Sequence, residues 1–167
     1  ISSVGLDMSS ATLNVMPTAG GSVLMTLTDG GLQYLLASAR VNTGVKSGRY
    51  LFEIKIIESL NPEEKQGGKA RAPAPRQLVR VGLSTKDSSV FLSDGPDNVC
   101  FDSEGFFIHE KKKSKASQKF GRGHVVGLLI NCDASSPNAN TVSLFRDGAR
   151  VSEPQAIPEN LRGKVLF

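Results

Sequence analysis

The apolar residues of this chain fall in short runs separated by turn-forming residues, and several runs alternate with a period of two. In Arg49–Ile57, Phe52, Ile54 and Ile56 alternate with Glu53 and Lys55, the signature of a strand with one buried face. Leu78–Leu83 alternates again, with Val79 and Val81 on one side and Arg80 on the other. Val99–Ser103, Phe106–His109, His124–Cys132, Thr141–Arg146 and Lys164–Phe167 read as further strands, and Tyr34–Ala39 is another short apolar run. Thr12–Met16 and Ser22–Leu27 flank Pro17-Thr-Ala-Gly-Gly21, a turn cluster, and together predict a hairpin. Asp147-Gly148 directly after a strand predicts a tight hairpin turn. No stretch keeps a helical period over three turns; only Pro158–Leu161 fits a single helical turn. The pattern predicts an all-β protein, a sandwich of two antiparallel sheets with little helix.

Two segments interrupt the rhythm. Asn61–Gln77 is polar, rich in Gly and Pro and mixed in charge, and reads as a long mobile loop. Ala134–Asn140 is a shorter loop of the same kind. At 167 residues, with 17 Gly and 8 Pro spread along it, the chain fits one domain of many short elements. We divide it into an N-terminal extension or edge segment, 1–10, and a sandwich domain, 11–167. No apolar run is long enough for a membrane-spanning helix, and Ile1–Ser10 lacks the flank and core of a signal peptide. Cys100 and Cys132 sit in apolar, strand-like stretches and read as buried thiols of a reducing compartment, which implies an intracellular protein, nuclear or cytoplasmic.

Charge is uneven. The formal net charge is +4, but 109–122 holds five Lys, one Arg and one Glu, a net +5, so the remainder sums to −1. This is a near-neutral body with one basic loop, and binding of nucleic acid over the whole surface is correspondingly disfavoured. Lys111, Lys112, Lys113, Lys115 and Lys119 read either as a solvated, mobile hairpin loop or as an arm for an acidic peptide, phosphate or RNA. Aromatic residues lie only at its margins, Phe106, Phe107 and Phe120, which gives base stacking little support.

Catalytic and metal chemistry find no constellation. His109 and His124 are isolated from each other and from the cysteines. No strand–nucleophile–turn motif is present. The Gly-x-Gly of Phe120-Gly-Arg-Gly-His124 precedes a predicted strand, so no helix N-terminus stands there to receive a phosphate. Asp94, Asp97 and Asn98 are too few for a calcium site. We therefore expect no enzyme, no cofactor and no metal.

Five strings, in order, resemble the SPRY family. Asn42-Thr-Gly-Val-Lys-Ser-Gly-Arg-Tyr-Leu-Phe-Glu-Ile54 is similar to its Gly-Val-x-x-Gly-x-x-Tyr-x-Glu-Val segment. Val79-Arg-Val-Gly-Leu-Ser84 resembles Val-Arg-Val-Gly-Trp-Ser, and Phe120-Gly-Arg-Gly-His-Val-Val-Gly127 resembles Phe-Gly-x-Gly-Asp-Val-Ile-Gly. Val142-Ser-Leu-Phe-Arg-Asp-Gly148 is similar to Ile-x-Phe-x-Lys-Asn-Gly, and Leu161–Phe167 to the Gly-x-x-Leu-Phe-Pro string near the family's end. The resemblance spans roughly 11–167 and implies a bent, concanavalin-like sandwich. It implies a non-catalytic, scaffold-type protein-binding module that uses a concave sheet and the loops at one end. The chain departs from the pattern in having no Trp, in His124 where Asp is usual, and in a longer 61–77 loop. The family pattern also implies one further strand after Phe167.

The site expected from this reading holds a short, extended, acidic peptide. Arg80 alternates out of its strand toward a ligand; in one branch of the family, a histone-methyltransferase scaffold subunit, an Arg at the matching place helps bind an acidic segment. The competing reading pairs Arg80 with a cross-strand Glu such as Glu53. Val90, Phe91 and Leu92 lie in the polar loop Ser88–Asn98 and suit an apolar rim pocket beside Asp94. Pro17 lines the same rim by resemblance. The rival functions are RNA association through the Lys tract and, by analogy of fold alone, lectin-like carbohydrate binding. The isolated domain is expected to be monomeric.

Overall fold

The computed structural model describes residues 4–59, 77–92 and 95–167. Asn61–Gln77, except Gln77 itself, and Asp94 lie outside the described residues.

Thirteen strands appear among the described residues: β1 (Leu6–Asp7), β2 (Val15–Thr18), β3 (Val23–Thr26), β4 (Arg40–Val41), β5 (Arg49–Lys55), β6 (Arg80–Ser84), β7 (Asn98–Asp102), β8 (Phe106–His109), β9 (Lys112–Lys115), β10 (Val125–Asn131), β11 (Thr141–Arg146), β12 (Ala149–Arg150) and β13 (Gln155–Ala156). Every pairing is antiparallel. One sheet runs β12-β11-β10-β5, with β13 also on β11; the other runs β6-β7-β8-β9. Two ribbons, β1-β4 and β2-β3, complete the architecture. Among the described residues helix is confined to four short 3-10 turns, one of them Glu159–Leu161, as the sequence predicts.

The core lies between the two sheets, and the period of two decides its membership. Leu83, Val99 and Phe101 come from one sheet; Val126, Leu128, Ile130, Val142 and Leu144 come from the other. Ile56, Phe120, Ile157, Leu161 and Leu166 join the same buried cluster. Burial of each such side chain contributes about 1.5–3 kcal/mol. β7 is buried on both faces, since Asn98, Cys100 and Asp102 point away from the core and are still almost wholly covered.

Two expectations require correction, and one apolar run forms no strand. Pro17 is not in a turn: it pairs with Leu24 inside β2. Gly20 and Gly21, both at positive φ, make the turn instead, and proline suits a ribbon strand with a free side. Tyr34–Ala39 is not a strand; Leu32–Tyr34 is a 3-10 turn and Leu35 and Leu36 are exposed. The basic tract is only in part a loop. Lys112–Lys115 forms β9, paired with β8 from His109↔Lys112 to Phe106↔Lys115. Only Glu110 and Lys111 form the turn, both at positive φ, the backbone of a two-residue type I′ hairpin. Alternation then sends the lysines to opposite faces, as no solvated loop would.

Candidate partner-binding site

Arg80 opens β6 opposite Asp102 of β7. Since Val81 and Leu83 face the core, the Arg80 side chain emerges on the outer face of the four-stranded sheet. There Nη1 donates to the Leu92 carbonyl at 3.1 Å. Nε is buried and has no hydrogen-bond partner. No described carboxylate forms a salt bridge with Arg80. Glu53, the sequence's suggested partner, is ruled out by topology: it lies on β5 in the other sheet, opposite Gly127. Asp102 is otherwise engaged, its Oδ1 accepting the Glu104 and Phe106 amides of the following turn.

The loop after β6 is held in place by a residue that sequence reasoning missed. Arg40, buried on β4, donates from Nε to Ser84 Oγ at 3.1 Å and from Nη1 to the Lys86 carbonyl at 2.9 Å. Its Nη2 reaches the Ser88 and Ser89 carbonyls at 3.1 and 3.3 Å. Ser38 adds a hydroxyl bond to the Val90 carbonyl at 2.6 Å. A buried Arg with carbonyl acceptors and no acid among the described residues is a loop clamp, and nothing local in its sequence, Ala39-Arg-Val41, marks it.

This clamp brings Arg80, Val90 and Leu92 to one rim, with Phe91 between them; all four are half-buried. Pro17 reaches the rim only indirectly. The base of its hairpin is tied to the same segment, through the Thr12 amide on the Ser38 carbonyl and Asn14 Nδ2 on the Leu36 carbonyl. Pro17 itself is exposed. The outer face is no open platform beyond this rim: Cys100 and Ile108 at its centre are buried to 1 % or less exposure.

The basic residues lie at the opposite edge. β9 is three strands from β6, about 14 Å at the usual strand spacing. Lys113 and Lys115 share the outer face with Arg80; Lys112 takes the other. Two lysines are already engaged. Lys115 Nζ donates to the Glu104 carbonyl and sits 5.1 Å from the centre of the Phe106 ring. Lys119 pairs with the Glu104 carboxylate at 2.7 Å. Three cations, Lys111, Lys112 and Lys113, are exposed without such contacts.

The histidines serve structure. His109 Nδ1 contacts the Asn98 carbonyl at 3.0 Å, and His124 Nδ1 meets Gly121 in the turn before β10. Among the described residues neither Cys100 nor Cys132 forms a disulfide. Among the described residues no group of three or more His, Cys, Asp or Glu could hold a metal ion. Among them, too, no helix is long and apolar enough to cross a membrane.

No family model matches this chain. Among solved structures it is similar to the SPRY domain of human HERC1, at 19 % sequence identity, with 98 % of this chain and 86 % of that chain covered and a TM-score of 0.64. Together with two antiparallel sheets around one core, this shows that the chain is an all-β sandwich with a SPRY-like fold.

Proposed function

We propose that this chain is a non-catalytic protein-interaction module that holds a short, extended, acidic segment of a partner protein at the rim where Arg80 meets the Ser88–Leu92 loop. One observation carries the reading. Among the described residues Arg80 has one acceptor, the Leu92 carbonyl held by Nη1, no hydrogen bond from Nη2, and no acid that neutralises it. A guanidinium held in place with donors unused is prepared for a carboxylate, and fixing it beforehand lowers the entropic cost of binding. Val90, Phe91 and Leu92 supply apolar surface beside it. Lys113 and Lys115, on the same face, add attraction at longer range. Two cysteines outside any described disulfide suit an intracellular setting.

The test is selection of binders from a random peptide library on the immobilised domain, followed by titration of selected peptides against Arg80→Ala and Arg80→Lys. Enrichment of Asp or Glu, with at least about tenfold weaker binding to Arg80→Ala, supports the reading. Peptides without acidic residues, or equal binding to both variants and the parent, would refute it.

A further inference from the structure

We infer that β5 is a self-complementary edge, and that two copies of this chain pair through it, antiparallel, into one continuous sheet with Leu51 on the two-fold axis. This goes beyond the peptide reading, which concerns the other sheet, and departs from the monomer expected from sequence.

β5 ends its sheet and, among the described residues, pairs only with β10. The phase of that ladder tells which backbone groups are left over. At one end the Ile56 amide donates to the His124 carbonyl; at the other the Gly48 carbonyl accepts from the Cys132 amide. Even-numbered residues of β5 therefore turn their amides and carbonyls toward β10. Arg49, Leu51, Glu53 and Lys55 turn theirs outward, an unpaired template for another strand. The side chains tell the same story. Val126, Leu128 and Ile130 of β10 are at most 5 % exposed, yet their cross-strand partners Ile54 and Phe52 are only half-buried, and Tyr50 is 48 % exposed. Leu51, on the opposite face, is 52 % exposed.

The charges specify what fits. A strand laid antiparallel along this edge is favoured by an acid opposite Arg49, a base opposite Glu53, and apolar residues opposite Tyr50, Leu51 and Phe52. Read backwards, β5 itself meets this requirement. With Leu51 opposite Leu51 of a second copy, Arg49 faces Glu53 of that copy, and Glu53 faces its Arg49. On the inner face Tyr50 faces Phe52 of the second copy, twice, at non-hydrogen-bonded positions where side chains approach closest. Sliding the strand by two residues sets Arg49 opposite Lys55 in one direction and opposite Leu51 in the other, so the charges choose the register. Such an interface is isologous and closes at two copies. β9, the edge of the other sheet, is protected from the same fate: its lysines would repel a second β9. Arg49 is free to turn to a second copy, because its contact with Asp133 is long, 3.7 Å, and its side chain 65 % exposed.

Sedimentation velocity from micromolar to millimolar protein tests this. The parent chain is expected to show a concentration-dependent monomer–dimer equilibrium. Arg49→Glu and Glu53→Arg, each creating two like-charge contacts, are each expected to raise the dimer Kd at least about tenfold. The double reversal R49E/E53R recreates both attractive pairs and is expected to restore association. Leu51→Lys, which sets two like charges on the axis, is expected to abolish it. Thermal melts of each variant confirm that the fold is intact. A parent chain monomeric at millimolar concentration overturns the inference. So does a dimer that ignores the single reversals, or one that the double reversal fails to restore.

Discussion

Arg80 reaches across to the main chain of Leu92: its Nη1 donates to that carbonyl at 3.1 Å, so a side chain on the outer face of its sheet also fastens the rim loop. Removing it has two consequences of different size. Arg80→Ala should cost about 1 kcal/mol of stability, the ordinary net value of one hydrogen bond. It should weaken acidic-peptide binding by more. Urea denaturation alongside peptide titration separates the two. A stability loss above about 3 kcal/mol would mark Arg80 as a mainly structural cation.

Arg40 is the stronger structural residue. Arg40→Ala leaves the Lys86, Ser88 and Ser89 carbonyls without their donor in a part-buried setting and empties the buried site of the Arg40 side chain. We expect a loss of at least about 3 kcal/mol and faster amide exchange through 86–90. Slow exchange there in the variant would show that the loop holds without its clamp.

The β8–β9 turn carries strain that can be relieved. Lys111 sits at φ 64 and has no need of a side chain to make the type I′ turn. Lys111→Gly should therefore stabilise the chain by about 0.5–1 kcal/mol in chemical denaturation. At the corresponding turn between β11 and β12, Asp147-Gly148 already has glycine at the second position, so Gly148→Lys should destabilise by a similar amount. No change in either variant would mean that the turns do not hold this geometry in solution.

Gly82 marks a close approach. A Cβ there would lie 2.6 Å from the Cys100 Cβ and clash with the Val99 carbonyl. The obstacle is backbone on a fully buried strand, which has no room to yield. Gly82→Ala should cost about 2–3 kcal/mol, read from its denaturation midpoint. A variant as stable as the parent would refute this packing.

Burial pushes the Cys132 thiol up from its ordinary pKa. The neutral thiol is thus favoured in the folded chain, and less thiolate is present at any pH below the raised value. Cys132 should react with a thiol reagent more slowly than free cysteine, with a rate–pH profile shifted upward. Cys100, buried at 1 % exposure, should react only on unfolding. Fast labelling of both in native buffer would contradict the structure.

Much of the fold is legible in the chain because strand burial has a simple arithmetic. Phe106–His109 and Thr141–Arg146 occur as strands with the bounds read from sequence, and Asp147-Gly148 turns where a positive φ at both positions is needed. The lysine tract misled because charge reads as solvent. In β9 the backbone ladder to β8 supplies the stabilisation, and an edge strand tolerates lysine on both faces. Leu35 and Leu36 misled in the opposite sense: they are apolar without a periodic partner, and apolar residues need not be buried.

Of the candidate site, the sequence by itself determined that Arg80 leaves the core, since alternation with Val79 and Val81 leaves it no other face. It also determined the all-β class and the SPRY resemblance that the fold bears out. What Arg80 touches was decided only by tertiary structure. The Leu92 carbonyl lies 12 residues away, Arg40 grips a loop 46 to 49 residues on, and Glu53 goes to the other sheet. Alternation along a strand is local, set by the pleat every two residues. Which strand becomes a neighbour, and which edge stays open, depends on contacts between distant segments, and no local pattern encodes them.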